Sequence, residues 1–307
     1  MRLLQARQRP VQALGQLLAP WLRRSAAQVF ARAQIDWAGR RSCLALSFDC
    51  DFPEDAQAIP RVVELLGRHG LVASFACVGR WVEDYPDAHR AALEGGHELV
   101  NHSWSHPDLV NSARHFVSAR TDLNPRPWRA LSLVEQLAEV SRCQDAVRAC
   151  LGYSMTTFRV PHFGHADVRP LYPHLTALGL TCSSSVLAAR ARRLGLPGWE
   201  GALMEIPITS CPRHPYASMD SWHALYAGGG RHRQDFAGLV TSQLRRDDVT
   251  RGLTSLYLDP KDWERLDFDG LFRCLARNAD GRWVTTLRQL AAWWACRYPV
   301  GPAAGGR

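Results

Sequence analysis

The feature that most constrains the fold is an alternation of strand-like and helix-like segments, which begins near residue 42 and continues almost to the end of the chain. The strand-like apolar runs are 43–49, 72–78, 98–101, 155–160, 180–186, 202–208 and 253–258. The helix-like segments between them are 55–69, 84–95, 133–150, 167–178, 234–247 and 262–279. Such alternation is typical of a mainly parallel sheet covered by helices. Seven strands of this kind can close into an irregular α/β barrel.

The length of 307 residues suits one barrel-sized domain or two small ones. With 46% hydrophobic and 21% charged residues, the composition favours a well-filled core over disorder. We therefore predict an N-terminal amphipathic helical segment at 1–41, a barrel at 42–298 and a flexible tail at 299–307.

Two motifs of metal-ligand type stand at the ends of predicted strands. Asp49-Cys50-Asp51 closes the run 43–49, and His102 and His106 follow the run 98–101. Carboxylate oxygens and imidazole nitrogens together bind zinc and similar divalent ions. Either motif alone is common, since D-x-D often caps a turn and H-x3-H arises by chance. Their shared position at strand ends favours a metal site, because barrel enzymes assemble their sites at that edge.

A third motif, Phe158-Arg159-Val160-Pro161, follows another strand-like run. With this motif in place the chain resembles the polysaccharide deacetylase family, the NodB-type carbohydrate esterases of family 4. These enzymes remove acyl groups from N-acylated sugars. The family carries T-F-D-D-G, H-S/T-x2-H and R-x-P motifs in the same order. The resemblance covers roughly residues 42–296 and implies an irregular (β/α)7-type barrel.

The resemblance also implies a role for each motif residue. Asp51, His102 and His106 would bind a divalent metal; zinc is favoured, with Co, Ni and Mn as alternatives. Asp49 would act as the catalytic base, and Arg159 would hold its carboxylate in place. The family's commoner pattern has adjacent aspartates, but residues two apart on a strand also share a face.

The sequence departs from the family at the proton donor. Asp259 stands where the family usually has a histidine, so we expect Asp259 to protonate the departing amine. That role requires a raised pKa, for example in an apolar pocket. His162 or His165 could supply an imidazole instead, or the chain could lack an efficient acid. For substrate binding we expect contributions from Trp104, which lies between the metal histidines, and from His162.

These features predict a metal-dependent hydrolase that cleaves the N-acyl amide of an amino sugar or glycan precursor. One alternative is a non-catalytic glycan-binding member of the family. Another is a hydrolase of a different C–N bond, in a formamide or cyclic imide. Nucleic acid is not expected as a partner, because no aromatic-basic platform or binding motif occurs. Lys261 is the only lysine, so nearly all the basic charge is arginine.

The N-terminal segment indicates a peripheral membrane contact. Residues 1–34 contain six arginines and no acidic residue, and an apolar stripe runs through 10–33. The segment could pack on its own barrel, or it could lie on anionic lipid. Nine cysteines without C-x-x-C spacing favour a reducing compartment. We expect a cytoplasmic protein, peripheral at the inner face of the membrane, whose glycan substrate is lipid-linked.

Overall fold

The computed structural model describes residues 2–107, 122–162, 168–226, 235–277 and 279–300, with side chains from residue 17 onward except Ala279. The α-helices of this part are α1 Arg2–Ala33, α2 Pro53–Arg68, α3 Gly79–Asp84, α4 Pro86–Glu94, α5 Leu133–Leu151, α6 Tyr172–Leu175, α7 Ser221–Leu225, α8 Phe236–Thr250, α9 Phe268–Ala276 and α10 Leu287–Arg297. The strands are β1 Ser42–Cys50, β2 Ser74–Cys77, β3 Glu98–Asn101, β4 Thr157–Phe158, β5 Cys182–Ser183, β6 Gly198–Glu200, β7 Leu203–Glu205, β8 Leu253–Leu258 and β9 Arg282–Thr285.

The predicted fold class is confirmed. Each of the seven predicted strands overlaps an observed one, while the short strands β6 and β9 were not predicted. The segment predicted as a helix at 167–178 is instead a series of short turns around α6. Most of the predicted tail, residues 301–307, lies outside the described residues.

The strands form one curled sheet in the order β6-β7-β5-β4-β3-β2-β1-β8, with β9 also paired to β1. Every pair is parallel except β6 with β7. β8 pairs along most of β1, from Cys43 to Phe48. The opposite edge of β1 is shared by β9 beside its first half and β2 beside its second. β1 therefore lies at the centre of the barrel wall.

The barrel closes through the segment that follows β7. The backbone N–H of Ile206 donates to the carbonyl of Ser183 at 2.8 Å, which attaches this segment to β5. Three residues later, the N–H of Thr209 donates to the carbonyl of Ser255 in β8 at 2.9 Å. The N–H of Ser255 in turn donates to Oγ1 of Thr209 at 2.8 Å. Thr209 thus donates one hydrogen bond across the seam and accepts another.

Alternation along β1 separates an apolar face from a polar one. Leu46, Phe48 and Cys50 lie in the apolar core shared with α2 and α9. Ser47 and Asp49, which point the other way, bind a buried arginine inside the barrel. This is the two-residue periodicity of a strand, and it places the polar side chains of Ser47 and Asp49 on the inner face of β1. Cys50 lies on the apolar face, and burial raises the pKa of its thiol.

The N-terminal segment is anchored to the barrel at its carboxyl end. Phe30, Ile35 and Trp37 are buried in one apolar cluster. The indole N–H of Trp37 donates to the carbonyl of Arg251 at 2.8 Å. Farther toward the N-terminus the helix carries exposed apolar side chains, since Trp21 is 62% exposed. Only part of α1 therefore packs as an ordinary domain helix.

None of the helices in the described residues is long and apolar enough to cross a membrane.

Replacement of Trp37 by alanine should lower the free energy of unfolding by about 3–5 kcal/mol, because a fully buried indole is removed and a cavity remains. The matched control is Trp21→Ala, which removes an exposed indole and should stay within about 0.5 kcal/mol. Urea unfolding of both variants measures the difference. Equal stability of the two would mean that the segment after α1 does not anchor the helix to the barrel.

Candidate metal centre

Three side chains with metal-ligand atoms converge at the carboxyl ends of β1 and β3. Asp51 follows β1, while His102 and His106 follow β3, and their ligand atoms all lie within 4.8 Å of one another. Oδ1 of Asp51 is 3.2 Å from Nε2 of His102 and 3.3 Å from Nε2 of His106. The three residues predicted as ligands are therefore brought together around one point.

The orientation of His102 is fixed by its second ring nitrogen. Nδ1 lies 2.8 Å from the backbone carbonyl of Arg159, which can only accept, so Nδ1 carries the hydrogen. In a neutral ring this leaves the lone pair of Nε2 aimed at the Asp51 carboxylate, which is also an acceptor. Two facing acceptors repel unless a cation or a proton lies between them. Metal-bound histidines are commonly oriented in the same way, through a backbone carbonyl.

The position of His106 points to the same conclusion. Both of its ring nitrogens are buried and make no hydrogen bond within the described part of the chain. Its backbone has a φ of 48°, and Ser103 has a φ of 65°. Such left-handed conformations cost about 1–3 kcal/mol each and are often found at functional sites. Orphaned, buried nitrogens beside a carboxylate fit a divalent ion with N and O ligands.

The facing charges of the cluster shift two of its pKa values. Burial alone would raise the pKa of Asp51, but the nearby imidazoles of His106 and His102, with the hydrogen bond from His102, hold it well below its usual range. Burial alone would lower the pKa of His102, but the carboxylates of Asp51 and Asp49 raise it. The carboxylates therefore favour positive charge at this position.

The loop between the two histidines is shaped by Glu139, a residue of α5 that was not identified from the sequence. Its carboxylate accepts from the N–H groups of Trp104 and Ser105, at 3.1 and 2.8 Å, and from Oγ of Ser105 at 2.8 Å. Within the loop, the N–H of His106 donates to Oγ of Ser103 at 3.1 Å. These bonds hold the strained turn that aims His106 at Asp51.

Asp49 is paired with Arg159 inside the barrel. Nη1 of Arg159 lies 2.5 Å from Oδ1 of Asp49 and 2.9 Å from Oγ of Ser47. Nε donates to the carbonyl of Ser184 at 3.1 Å. Both members of the pair are buried, so little solvent screens their attraction. The arrangement fixes the orientation of the Asp49 carboxylate.

Asp259 follows β8 and is 4% exposed. Burial raises its pKa well above the usual range; the charge of Lys261 opposes this shift, while the carboxylates of Asp55 and Asp51 add to it. Nζ of Lys261 lies 3.1 Å from Asp55 and 3.7 Å from Asp259. Lys261 is thus shared between two acids and belongs mainly to Asp55. Neither Lys261 nor Asp55 was identified from the sequence as a neighbour of Asp259. The position of the chain's only lysine, two residues after Asp259, could have indicated this contact.

The expectation that Trp104 stacks on a sugar is wrong for this structure. Trp104 is 1% exposed, and its indole N–H donates to Glu83 at 3.1 Å. The guanidinium of Arg142 lies over one face of the ring. Because the loop folds inward, the indole packs against α3 and α5 rather than facing a ligand.

His162 lies beside the cluster and is half-buried. Its ring centroid is 4.5 Å from that of His106, at an interplanar angle of 77°. This location is compatible with a role in substrate binding, since the ring lies next to His106, a candidate metal ligand. The other histidine considered as a proton donor, His165, lies outside the described residues.

Comparisons with known proteins agree with this geometry. The sequence profile of the polysaccharide deacetylase family matches residues 38–174, which contain all three motifs. The peptidoglycan-N-acetylmuramic acid deacetylase PdaC of Bacillus subtilis is 31% identical over 124 residues, or 40% of this chain and 22% of that protein. A chitooligosaccharide deacetylase of Bradyrhizobium is 38% identical over 74 residues, or 24% of this chain and 32% of that protein.

The fold is similar to that of a Mycobacterium smegmatis protein of known structure, which is provisionally named a polysaccharide deacetylase. The TM-score is 0.66 at 16% sequence identity, and the match covers 88% of this chain and 95% of that one. The two curated relatives match over only 22% and 32% of their own length. The resemblance predicted from the three motifs is therefore confirmed over residues 38–174, which match the profile of the polysaccharide deacetylase family.

Proposed function

We propose that this protein is a metal-dependent deacetylase that hydrolyses the N-acyl amide of an amino sugar or glycan precursor. The observation that carries the proposal is the convergence of Asp51, His102 and His106 beside the buried Asp49–Arg159 pair. The names of the curated relatives, which are peptidoglycan and chitooligosaccharide deacetylases, support an N-acetylated sugar as the substrate.

Asp51, His102 and His106 would hold the ion; two imidazoles and one carboxylate suit a borderline divalent ion, with zinc favoured and Co, Ni and Mn as alternatives. When bound, such an ion supplies Lewis-acid polarisation of a carbonyl oxygen and lowers the pKa of water. The three ligands leave room in a four-coordinate shell for that purpose.

The remaining residues handle protons. Asp49 takes the proton of the water that adds to the acyl carbon, and Arg159 holds that carboxylate in place. Asp259, held protonated by burial, donates to the nitrogen as the C–N bond breaks. The products are the free carboxylic acid and the amine.

Asp49→Asn should lower the rate of acetate release from N-acetylglucosamine oligomers by roughly 10²–10⁴-fold, the usual contribution of a general base. Its metal content should stay unchanged, because Asp49 is not a ligand. The double variant His102→Ala/His106→Ala should instead hold one ion fewer per chain than the unchanged protein. Asp145→Asn, on the exposed face of α5, is the control and should be neutral.

Near-normal turnover by Asp49→Asn would exclude this residue as the base. Unchanged metal content in the double histidine variant would exclude the proposed ligand set. Sugar binding without acyl release in the unchanged, metal-loaded protein would favour the non-catalytic alternative. Hydrolysis of only a formamide or a cyclic imide would favour the alternative that the protein is a hydrolase of a different C–N bond.

Asp259→Asn should slow the release of a poor amine leaving group while leaving metal content and hydrolysis of an activated ester nearly unchanged. Because the acid must be protonated, the amide rate should fall as pH rises through the raised pKa of Asp259. That alkaline limb should be missing from the variant. Asp259→His should restore part of the amide activity.

The control for this experiment is Asp262→Asn, in the same loop. Asp262 is also buried and accepts from the Tyr226 hydroxyl at 2.7 Å, which an asparagine oxygen can replace. If Asp259→Asn changes amide and activated ester hydrolysis equally, Asp259 is not the proton donor, and His162 becomes the candidate.

We also propose that residues 10–33 bring the protein to anionic lipid, where a lipid-linked glycan would be within reach. Leu17 and Trp21 are 79% and 62% exposed on α1, and Arg23 and Arg24 are exposed beside them. Exposed apolar and basic side chains on one helix suit a membrane surface.

Arg23→Ala/Arg24→Ala should weaken binding to phosphatidylserine vesicles by roughly 30-fold, at about 1 kcal/mol for each arginine near the surface. Leu17→Ala/Trp21→Ala should also weaken it. The control is Arg148→Ala/Arg273→Ala, which removes two exposed arginines of the barrel. Co-sedimentation at low and high salt measures the effect, and equal binding by all variants would leave α1 as a packing helix.

A further inference from the structure

A second group of metal-ligand side chains lies in the segment between β7 and α8, apart from the residues assigned above. It consists of Cys211, His214 and His223, and its ligand atoms all lie within 4.8 Å of one another. Sγ of Cys211 is 3.7 Å from Nδ1 of His214, which is 3.0 Å from Nε2 of His223. This group is not recognisable from the sequence, because its C-x2-H spacing and the later His223 match no common zinc motif.

The backbone of the segment holds the three side chains in place. The N–H of Cys211 donates to the carbonyl of Ala217 at 2.8 Å, and the N–H of His214 donates to the carbonyl of Cys211 at 3.1 Å. His223 belongs to α7, and its N–H donates to the side chain of the N-cap residue Asp220 at 2.5 Å. Hydrogen bonds thus fix the backbone at all three residues, Cys211, His214 and His223.

Two of the three distances between the ligand atoms are close to those expected around a four-coordinate ion. The third, between Cys211 and His223, is within 4.8 Å. Zn–S bonds of about 2.3 Å and Zn–N bonds of about 2.0–2.1 Å at tetrahedral angles imply S···N and N···N separations of about 3.6 and 3.3 Å. The observed separations are 3.7 and 3.0 Å. The two imidazole rings meet edge to face at 73°, so both can aim a nitrogen at one position.

We propose that Cys211, His214 and His223 form a second metal site, which takes a borderline divalent ion of the Zn²⁺ class. One thiolate with two imidazoles suits zinc, whereas Mg²⁺, Ca²⁺ and Mn²⁺ prefer oxygen ligands. Binding replaces the S–H bond of Cys211 with a sulfur–metal bond, and the proton passes to solvent. The site has three protein ligands and leaves the fourth position to water.

An ion at this site would stiffen the segment that supports Asp259. Asp220 caps α7, and the next residue, Ser221, accepts from the backbone N–H of Asp259 at 2.6 Å. Any effect on catalysis through this contact rests on the proposed function, but metal binding at the site does not. The two are therefore tested by different measurements.

The test uses the full chain, loaded with Co²⁺ as a spectroscopic probe and with Zn²⁺ for counting. The unchanged protein should bind about two Zn²⁺ ions per chain, and its Co²⁺ form should show a near-ultraviolet thiolate-to-metal charge-transfer band. His102→Ala/His106→Ala should keep the band and lose one ion. Cys211→Ser should lose the band while keeping the ion at the other site.

The control is Cys296→Ser, which removes an exposed cysteine and should change neither the band nor the count. X-ray absorption at the zinc edge of the unchanged protein needs no variant, and it should detect a sulfur neighbour at about 2.3 Å. A shell of nitrogen and oxygen alone would overturn the proposal, as would a charge-transfer band that survives in Cys211→Ser.

Discussion

The arrangement of the site depends on Arg159, which reaches across the inside of the barrel. Arg159 directly follows β4, yet its guanidinium pairs with Asp49 on β1. Strands β2 and β3 lie between β4 and β1 in the sheet. The backbone carbonyl of Arg159 also accepts from Nδ1 of His102. One residue therefore orients both the proposed base and a proposed ligand. Because the ion pair is buried, loss of either partner would leave a bare charge, at a cost of about 3–5 kcal/mol.

The same edge of the barrel gives two acids different surroundings. Asp49 pairs with the permanently charged guanidinium of Arg159, whereas Asp259 is buried where Lys261 is bound mainly by Asp55, and burial raises the pKa of Asp259. Contrasting surroundings of two acids commonly separate the roles of base and acid in hydrolases. The roles proposed for Asp49 and Asp259 therefore rest on how closely each carboxyl group contacts a cation.

Much of the fold was predictable because the strands are apolar runs of ordinary length, and the motifs stand at their ends. The three proposed ligands and the Asp49–Arg159 pair followed from the motifs. The link between Asp55 and Lys261 did not, since it joins residues far apart in the chain through a buried contact that no local pattern records. Trp104 was misassigned because sequence position places the side chain near the histidines but does not tell which way the loop turns.

The single lysine has a consequence for how this protein's charge can be changed. Acylating reagents and acetyltransferases need an unprotonated amine, but the acidic partners of Lys261, with Asp55 in direct contact, outweigh its burial and raise the pKa of its ammonium. Every other basic side chain apart from histidine is an arginine, whose guanidinium neither deprotonates nor acetylates under cellular conditions. The positive surface of α1 is therefore permanent. Its attraction to anions can be altered by salt or by masking, but not by lysine acetylation.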